Sequence, residues 1–268
     1  MEDRPDTVFR PESYAELFSQ WEKSPDAEIL AGGTEIMRRL GGRRAAPLPR
    51  SLIVLDGIEE MRRISRSESY LEIGAAATLS RIIELGKHAP GALLRCLRGI
   101  ACPQLRGMAS LGGNVFSGLD ASAALVALDA QYELRRAQSA RWIAAARFAP
   151  APGELICRIR VPLDAWDFSE FRKFPGRSDS GGIAVFLAKA QKNTLTDVRV
   201  ICKDALETMR DKDAQDMLIG KRLPLARKTA SAFAAHWKER LRSAEGADDV
   251  LTGEFAAFIE ATAQSLAE

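Results

Sequence analysis

Two pairs of adjacent glycines are the positions in this chain best suited to holding something chemical. One pair lies in Ile29-Leu30-Ala31-Gly32-Gly33-Thr34-Glu35-Ile36. The other lies in Ser110-Leu111-Gly112-Gly113-Asn114, followed by Asp120 and an apolar run from Ala121 to Leu128. Neighbouring glycines within apolar segments mark a backbone that turns sharply or lies against another group. Where that group is a diphosphate, successive N–H groups reach its oxygens with no side chain intervening. The first pair reads as strand, glycine turn, helix. That context presents N–H groups to an anion, and it is equally the pattern of a tight connection with no ligand. Together the two turns are expected to close on one cofactor. Asp120 reads as a ligand-binding carboxylate or as the N-cap of the next helix, roles that can coexist.

Other chemistries lack their residues. The two histidines, His88 and His236, sit in helical patterns without an HExxH or similar spacing. Ser110, Ser117 and Ser180 stand in no GxSxG elbow. Neither glycine pair belongs to a GxGxxG or a GxxxxGK[ST]. Cys96, Cys102, Cys157 and Cys202 are scattered, whereas zinc and iron–sulfur sites need clustered thiolates. If the chain is an enzyme, a bound cofactor carries the chemistry. Lys plus Arg number 38 against 36 Asp plus Glu, a balance that gives no nucleic-acid footprint. Arg38-Arg39 and Arg43-Arg44 read as a solvated loop or partner-facing surface, with an anion or acidic-partner site as the alternative. No apolar run approaches the roughly 18 residues of a membrane span, and no charged-then-apolar leader opens the chain. A cytoplasmic protein with reduced thiols is expected.

The elements that must position the glycines follow from periodicity. A helix is predicted from Ser13, with Tyr14, Leu17, Phe18 and Trp21 at helical spacing, then a strand from Ala27 to Leu30 and a short helix from Glu35 to Leu40. After a Gly-, Arg- and Pro-rich loop from Gly41 to Arg50 comes a strand from Ser51 to Leu55. A strand pair spans Arg62 to Glu68 and Tyr70 to Gly74. Thr78 caps a helix from Leu79 to Lys87, and another runs from Pro90 to Arg98. Tyr132 to Arg135 and Ala140 to Ile143 form a hairpin, and Glu154 to Val161 a strand stopped by Pro162. Composition shifts around Leu163 to Ser169. Phe171 to Phe174, Gly182 to Lys192 and Thr196 to Lys203 read as a small antiparallel sheet, turning at Lys192-Asn193-Thr194. From Ala205 the pattern is helical: Asp213 to Gly220, Leu225 to Ala244 and Val250 to Leu266. With 268 residues and 46% hydrophobic content, more than one domain is expected.

In order along the chain, these stretches resemble the FAD-binding medium subunit of the molybdenum hydroxylases, the family of xanthine and carbon monoxide dehydrogenases. The resemblance rests on Phe9-Arg10-Pro11, on Leu30 to Ile36 and on Leu71-Glu72-Ile73-Gly74-Ala75-Ala76-Ala77-Thr78-Leu79. It continues through Gln104-Leu105-Arg106 with Ser110 to Asn114, Glu154-Leu155-Ile156 to Pro162, Phe171 to Arg177, and Met217 to Leu223. It implies an α+β fold: two α/β FAD-binding subdomains of the PCMH, vanillyl-alcohol-oxidase-like type, residues 1–57 and 58–165. A C-terminal domain, 166–268, would carry the small antiparallel sheet and helices. The cofactor implied is FAD, with residues 29–36 and 110–114 around the pyrophosphate and ribityl chain. Ile100 and Ile156 match apolar positions near the isoalloxazine, Lys173 a basic residue reaching the cofactor, and Asp120 the family's cofactor-binding aspartate. A carboxylate beside a diphosphate is repelled, so sugar or ribityl hydroxyls are its expected partners. Gly107 stands where relatives usually carry Asn, the Asn114–Asp120 segment is shorter than in eukaryotic members, and Gly182 stands where many carry Asp.

The function implied is an electron-transfer subunit of an oxidoreductase. Its partners would be a large molybdenum-cofactor subunit and a small [2Fe-2S] subunit, with NAD or oxygen as acceptor, and no nucleic acid or membrane. A flavin-free scaffold subunit and an independent flavin oxidase are the alternatives.

Overall fold

Ser13 opens the first helix, as its residue type predicts: its hydroxyl accepts from the Glu16 N–H at 3.2 Å, and the Glu16 carboxylate reaches back to the Glu12 N–H at 2.9 Å. This computed structural model describes residues 5–41, 49–137, 139–175, 181–204, 207–243 and 249–267. The chain divides into two units, residues 1–89 with 100–163, and residues 90–99 with 164–268. The basic pair Arg43-Arg44, most of the Gly41 to Arg50 loop, and Arg177 and Ser180 lie outside the described residues.

The first unit begins β1 (Thr7–Phe9), α1 (Tyr14–Lys23), β2 (Glu28–Leu30), α2 (Thr34–Leu40), β3 (Ser51–Val54). The strands form a parallel sheet in the order β1-β3-β2, with Thr7 opposite Ser51 and Glu28 opposite Leu52. Leu17 and Phe18 are the residues α1 buries. The strand β1 was not predicted. Two 3-10 turns lead to β4 (Ile64–Arg66) and β5 (Tyr70–Gly74), followed by α3 (Leu79–Ile83). Thr78 caps α3 as predicted, its hydroxyl accepting from Arg81 N–H at 3.4 Å. The helix stops well short of Lys87, because Gly86 takes a φ of +53° and only a 3-10 turn follows.

The next helix, α4 (Gly91–Gly99), belongs to the second unit. The first unit resumes with α5 (Pro103–Met108), α6 (Leu111–Phe116) and α7 (Ala121–Ala127), then β6 (Gln131–Arg136), β7 (Ser139–Ala144) and β8 (Leu155–Pro162). Here the structure corrects the reading of the second glycine pair as a turn. Gly112 and Gly113 lie in the first turn of α6, which Ser110 caps through a bond from Gly113 N–H at 3.2 Å. Strands β4 to β8 build an antiparallel sheet in the order β4-β5-β8-β6-β7. Leu71, Ile73, Tyr132, Leu134, Ile159 and Val161 are buried on one face. On the other, Glu72 accepts from Arg160 at 2.9 and 2.6 Å, and Glu133 from Arg158 at 2.6 and 3.0 Å. Both guanidinium groups stand over Trp142, at 4.4 Å for Arg160 and 5.5 Å for Arg158.

The rest of the second unit is β9 (Phe168–Phe174), β10 (Gly182–Gln191), β11 (Thr194–Lys203), β12 (Thr208–Arg210), α8 (Lys212–Leu218), α9 (Arg227–Arg242) and α10 (Asp249–Ser265). The strands form an antiparallel sheet in the order β12-β11-β10-β9. Phe186, Val200, Phe233, Trp237, Phe255 and Ile259 are its buried core. Lys192 and Asn193 form the predicted turn with φ values of +51° and +60°, the left-handed pair that a two-residue hairpin needs. The strand β12 replaces part of the purely helical pattern expected after Ala205. His236 is structural, its Nε2 lying 3.1 Å from the carboxylate of Asp211, which also caps α8.

Candidate functional site

The first glycine segment turns because Gly33 does. Its φ is +69°, a conformation that favours glycine, and it forms the N-cap of α2. Gly32 serves a different purpose. A Cβ there would lie 1.9 Å from the carbonyl oxygen of Met108, so its missing side chain lets the two segments touch backbone to backbone. Gly112 is pressed in the same way onto Ala75, whose Cβ and carbonyl oxygen would stand 2.6 and 2.8 Å from an added Cβ. The pairs are therefore packed against protein on one side.

The other side is open. A cavity of about 530 Å³ lies in the first unit, a size in the range of small-molecule and cofactor sites. Ile29, Ala31, Gly32, Gly33, Thr34, Glu35 and Ile36 line it from the first segment, Ser110, Gly112, Gly113 and Asn114 from the second, and Ile156 from β8. Leu30 supports Gly33 from behind, its Cδ1 3.6 Å from the Cβ position, and Leu111 is fully buried. Ile100, Asp120 and Lys173 are not among the lining residues. Ile100 is buried at 8% exposure, and its carbonyl accepts from Arg106 Nη1 at 2.8 Å, as does that of Ala101 at 2.9 Å. Lys173 lies on β9 in the second unit, opposite Ile183.

Backbone donors are distributed unevenly. The N–H groups of Leu111 and Gly112 donate to Ala77 and Ala75 carbonyls at 3.0 and 2.8 Å, Gly113 donates to Ser110 Oγ, and Asn114 to the Ser110 carbonyl at 3.0 Å. The second segment thus commits its N–H groups to the protein. The first helical hydrogen bond of α2 runs from Met37 N–H to the Gly33 carbonyl at 2.9 Å, so Thr34, Glu35 and Ile36 have no intrahelical acceptor for theirs. They are the backbone donors suited to an anion in this cavity. Asp120 occupies the N-cap position of α7 but makes no capping bond; Asn114 does that work, its Oδ1 accepting from Ala121 N–H at 2.8 Å. The alternative reading of Asp120, as a side chain that caps the helix, is corrected accordingly.

The carboxylates of the wall are already paired. Glu35 accepts from Arg38 at 2.9 and 2.7 Å, and those bonds hold its carboxyl below the usual range. Glu28 is paired with Arg39. This offsets the repulsion that bare carboxylates would exert on a diphosphate. The remaining surface is mostly apolar, with Leu55, Met61, Ala75, Phe116, Leu119 and Leu155. Cys157, next to Ile156, is buried, and desolvation pushes its thiol up to about 12, which leaves it protonated at neutral pH. Among the described residues no group of His, Cys, Asp or Glu is placed to hold a metal ion.

The sequence reading missed Trp21, Pro25, Glu28, Arg39 and the apolar wall. Trp21 was assigned to the helical stripe of α1, and nothing in its spacing distinguishes a core aromatic from a cavity wall. The residues fit a flavin dinucleotide: free N–H groups for phosphates, hydroxyls from Thr34, Ser110 and Ser117, and apolar surface for a ring system.

Residues 4–164 match the model of the FAD binding domain in molybdopterin dehydrogenase. The chain is similar to the nicotine 6-hydroxylase medium subunit of Paenarthrobacter nicotinovorans, 28% identical over 227 residues covering 78% of each chain. It is also similar to the carbon monoxide dehydrogenase medium chain of Afipia carboxidovorans, 33% identical over 169 residues, 58% of this chain and 57% of that one. In fold it is similar to a chain of quinoline 2-oxidoreductase from Pseudomonas putida 86, with a TM-score of 0.84 at 23% identity, covering 100% of this chain and 98% of the other. With the family model spanning more than half of its length and the two glycine segments sharing one cavity, the chain belongs to the FAD-binding subunits of the molybdenum hydroxylases.

Proposed function

We propose that this FAD-binding oxidoreductase subunit is the electron-transfer stage of a multisubunit molybdenum hydroxylase. In this reading it takes electrons from iron–sulfur clusters on a small subunit, which receive them from a molybdenum-cofactor large subunit. It passes them to NAD or oxygen. Bound FAD exchanges electrons singly or in pairs, which suits a relay between one-electron clusters and a two-electron acceptor. The chain's residues bind and orient it. Thr34 to Ile36 donate N–H groups to the diphosphate, Ser110 and Asn114 face the sugar chain, and Ile156 packs against the ring. In the same proposal, Ile100 and Asp120 complete the site, and residues 1–57 and 58–165 are its two FAD-binding subdomains, with 166–268 the C-terminal domain.

The observation that carries the reading is the convergence of both glycine segments on one 530 Å³ cavity whose wall carries free N–H groups and apolar surface. The test is flavin binding by the purified chain. One FAD per chain is expected, and acid precipitation should release all of it, since no cysteine or histidine lines the cavity. A colourless protein indifferent to added FAD would sink the proposal.

A further inference from the structure

The two walls of the cavity belong to pieces of chain that share no strand. One is the parallel sheet with α1 and α2, which supplies Trp21, Ile29 and the first glycine segment. The other is the antiparallel sheet with α5 to α7, which supplies Leu155, Ile156 and the second glycine segment. Where Gly32 lies on the Met108 carbonyl the walls touch backbone to backbone. A second contact is made by side chains: the guanidinium carbon of Arg135, on β6, stands 4.4 Å from the ring centre of Tyr14, on α1. From that stack, α1 leads to the cavity. Tyr14, Phe18 and Trp21 follow one face of the helix at i, i+4 and i+7, and the rings of Phe18 and Trp21 stack with centroids 6.2 Å apart at 26°. Trp21, roughly 10 Å along the helix axis from Tyr14, lines the cavity. On the sheet side, Arg135 pairs in register with Leu155 and Leu134 with Ile156, the two β8 residues of the cavity wall.

Arg135 is itself held in place. Its Nη2 donates to Glu133 Oε1 at 2.9 Å, and Glu133 accepts on its other oxygen from Arg158 at 2.6 Å. The Tyr14 hydroxyl and the Arg135 Nε are both buried, and neither has a hydrogen-bond partner among the described residues. Helix and sheet are therefore joined here by the ring face and the cation rather than by a polar bond. Burial pushes the Tyr14 phenol above its usual pKa, so the ring stays neutral under the guanidinium. We infer that the stack of Arg135 on Tyr14 sets the separation of the two cavity walls, which makes both of them positioning residues for the cofactor. The inference rests on the flavin reading above and adds what holds the walls at the spacing the flavin fills. Neither residue was among the site residues expected from the sequence, where Tyr14 belongs to a helical stripe and Arg135 to a hairpin.

The test is a double-mutant cycle on the full-length FAD-loaded chain: Tyr14→Leu, Arg135→Met and the double variant, with Tyr14→Phe as the conservative change. FAD release is timed by the rise of free-flavin fluorescence on dilution, and FAD affinity is measured by titration of the stripped chain. Loss of a desolvated cation–ring contact should speed release and weaken affinity by about tenfold in either single variant. The double variant should be no worse than the singles, because each already removes the same contact. Tyr14→Phe keeps the ring and discards only the unbonded hydroxyl, so it should hold FAD as the wild type does. Should Tyr14→Leu fold poorly by circular dichroism, Arg135→Met and Tyr14→Phe decide, since Arg135→Met leaves Glu133 its bond from Arg158. Wild-type release from folded Arg135→Met, losses that multiply in the double variant, or Tyr14→Phe releasing as fast as Tyr14→Leu would each overturn the assignment while leaving the flavin reading standing. A wild-type chain that bound no FAD would overturn the flavin reading itself, and this assignment with it.

Discussion

Gly32, Gly33 and Gly107 look interchangeable in sequence, yet each answers to a different constraint. Gly33→Val imposes a β-branched side chain at a φ of +69°, and FAD affinity should fall by more than tenfold, about 1.4 kcal/mol. Gly32→Ala drives a methyl into the Met108 carbonyl, and the resulting overpacking should cost about 1–3 kcal/mol of stability in urea unfolding even without flavin. Gly107 has nothing within 4 Å of its Cβ position. Gly107→Asn should therefore stay within about 0.5 kcal/mol of wild type. Glu133 supplies a pH dependence. Its side chain is 3% exposed; burial opposes its charge, but the bonds from Arg158 and Arg135 outweigh that and lower its pKa from the usual 4.5. A depressed folded pKa means that the contribution is complete above the unfolded value and is lost as pH falls through the folded one. Glu133→Gln should therefore reduce stability at neutral pH, by about 2 kcal/mol, and should show less further loss than wild type when both are melted across the acid range below pH 4.5.

At the scale of elements, what could be read in advance was what is local. The Ser13 and Thr78 caps, the Lys192-Asn193 turn and the hairpin of β6 and β7 are each specified by neighbours within a few residues. The three-residue strands β1 and β12 were missed because they are too short to show alternation and exist only through pairing with β3 and β11. The second glycine pair was misread because a helix start and a turn share their residues; what decides is the pairing of Gly112 N–H with Ala75. Gly182 illustrates the same limit. It reads as a departure from relatives, yet a Cβ there would stand 2.4 Å from Leu251 and 2.6 Å from Phe255 of α10. Gly182→Ala should cost about 1–3 kcal/mol by overpacking the sheet against that helix, measured as a lower thermal midpoint with unchanged flavin content.

For the whole molecule, the proposed function separates binding of the cofactor from oxidation of an organic substrate. The FAD-loaded chain alone should be bleached by dithionite, while purines, aldehydes or N-heterocycles should leave its spectrum unchanged until the proposed molybdenum and iron–sulfur subunits are added. Bleaching by such a substrate, in a sample shown to hold no molybdenum or iron, would point instead to an independent oxidase. The uneven sharing of backbone donors between the two segments also has a temporal consequence. The amides of Leu111 to Asn114 are bonded to protein whether or not flavin is present, so their hydrogens should exchange slowly with deuterated solvent in the empty chain. Those of Thr34, Glu35 and Ile36 should exchange fast until the cofactor arrives and slow sharply afterwards. One wall of the site would then stand ready as a mould while the other sets only on contact, and the flavin would complete the fold of the segment that holds it.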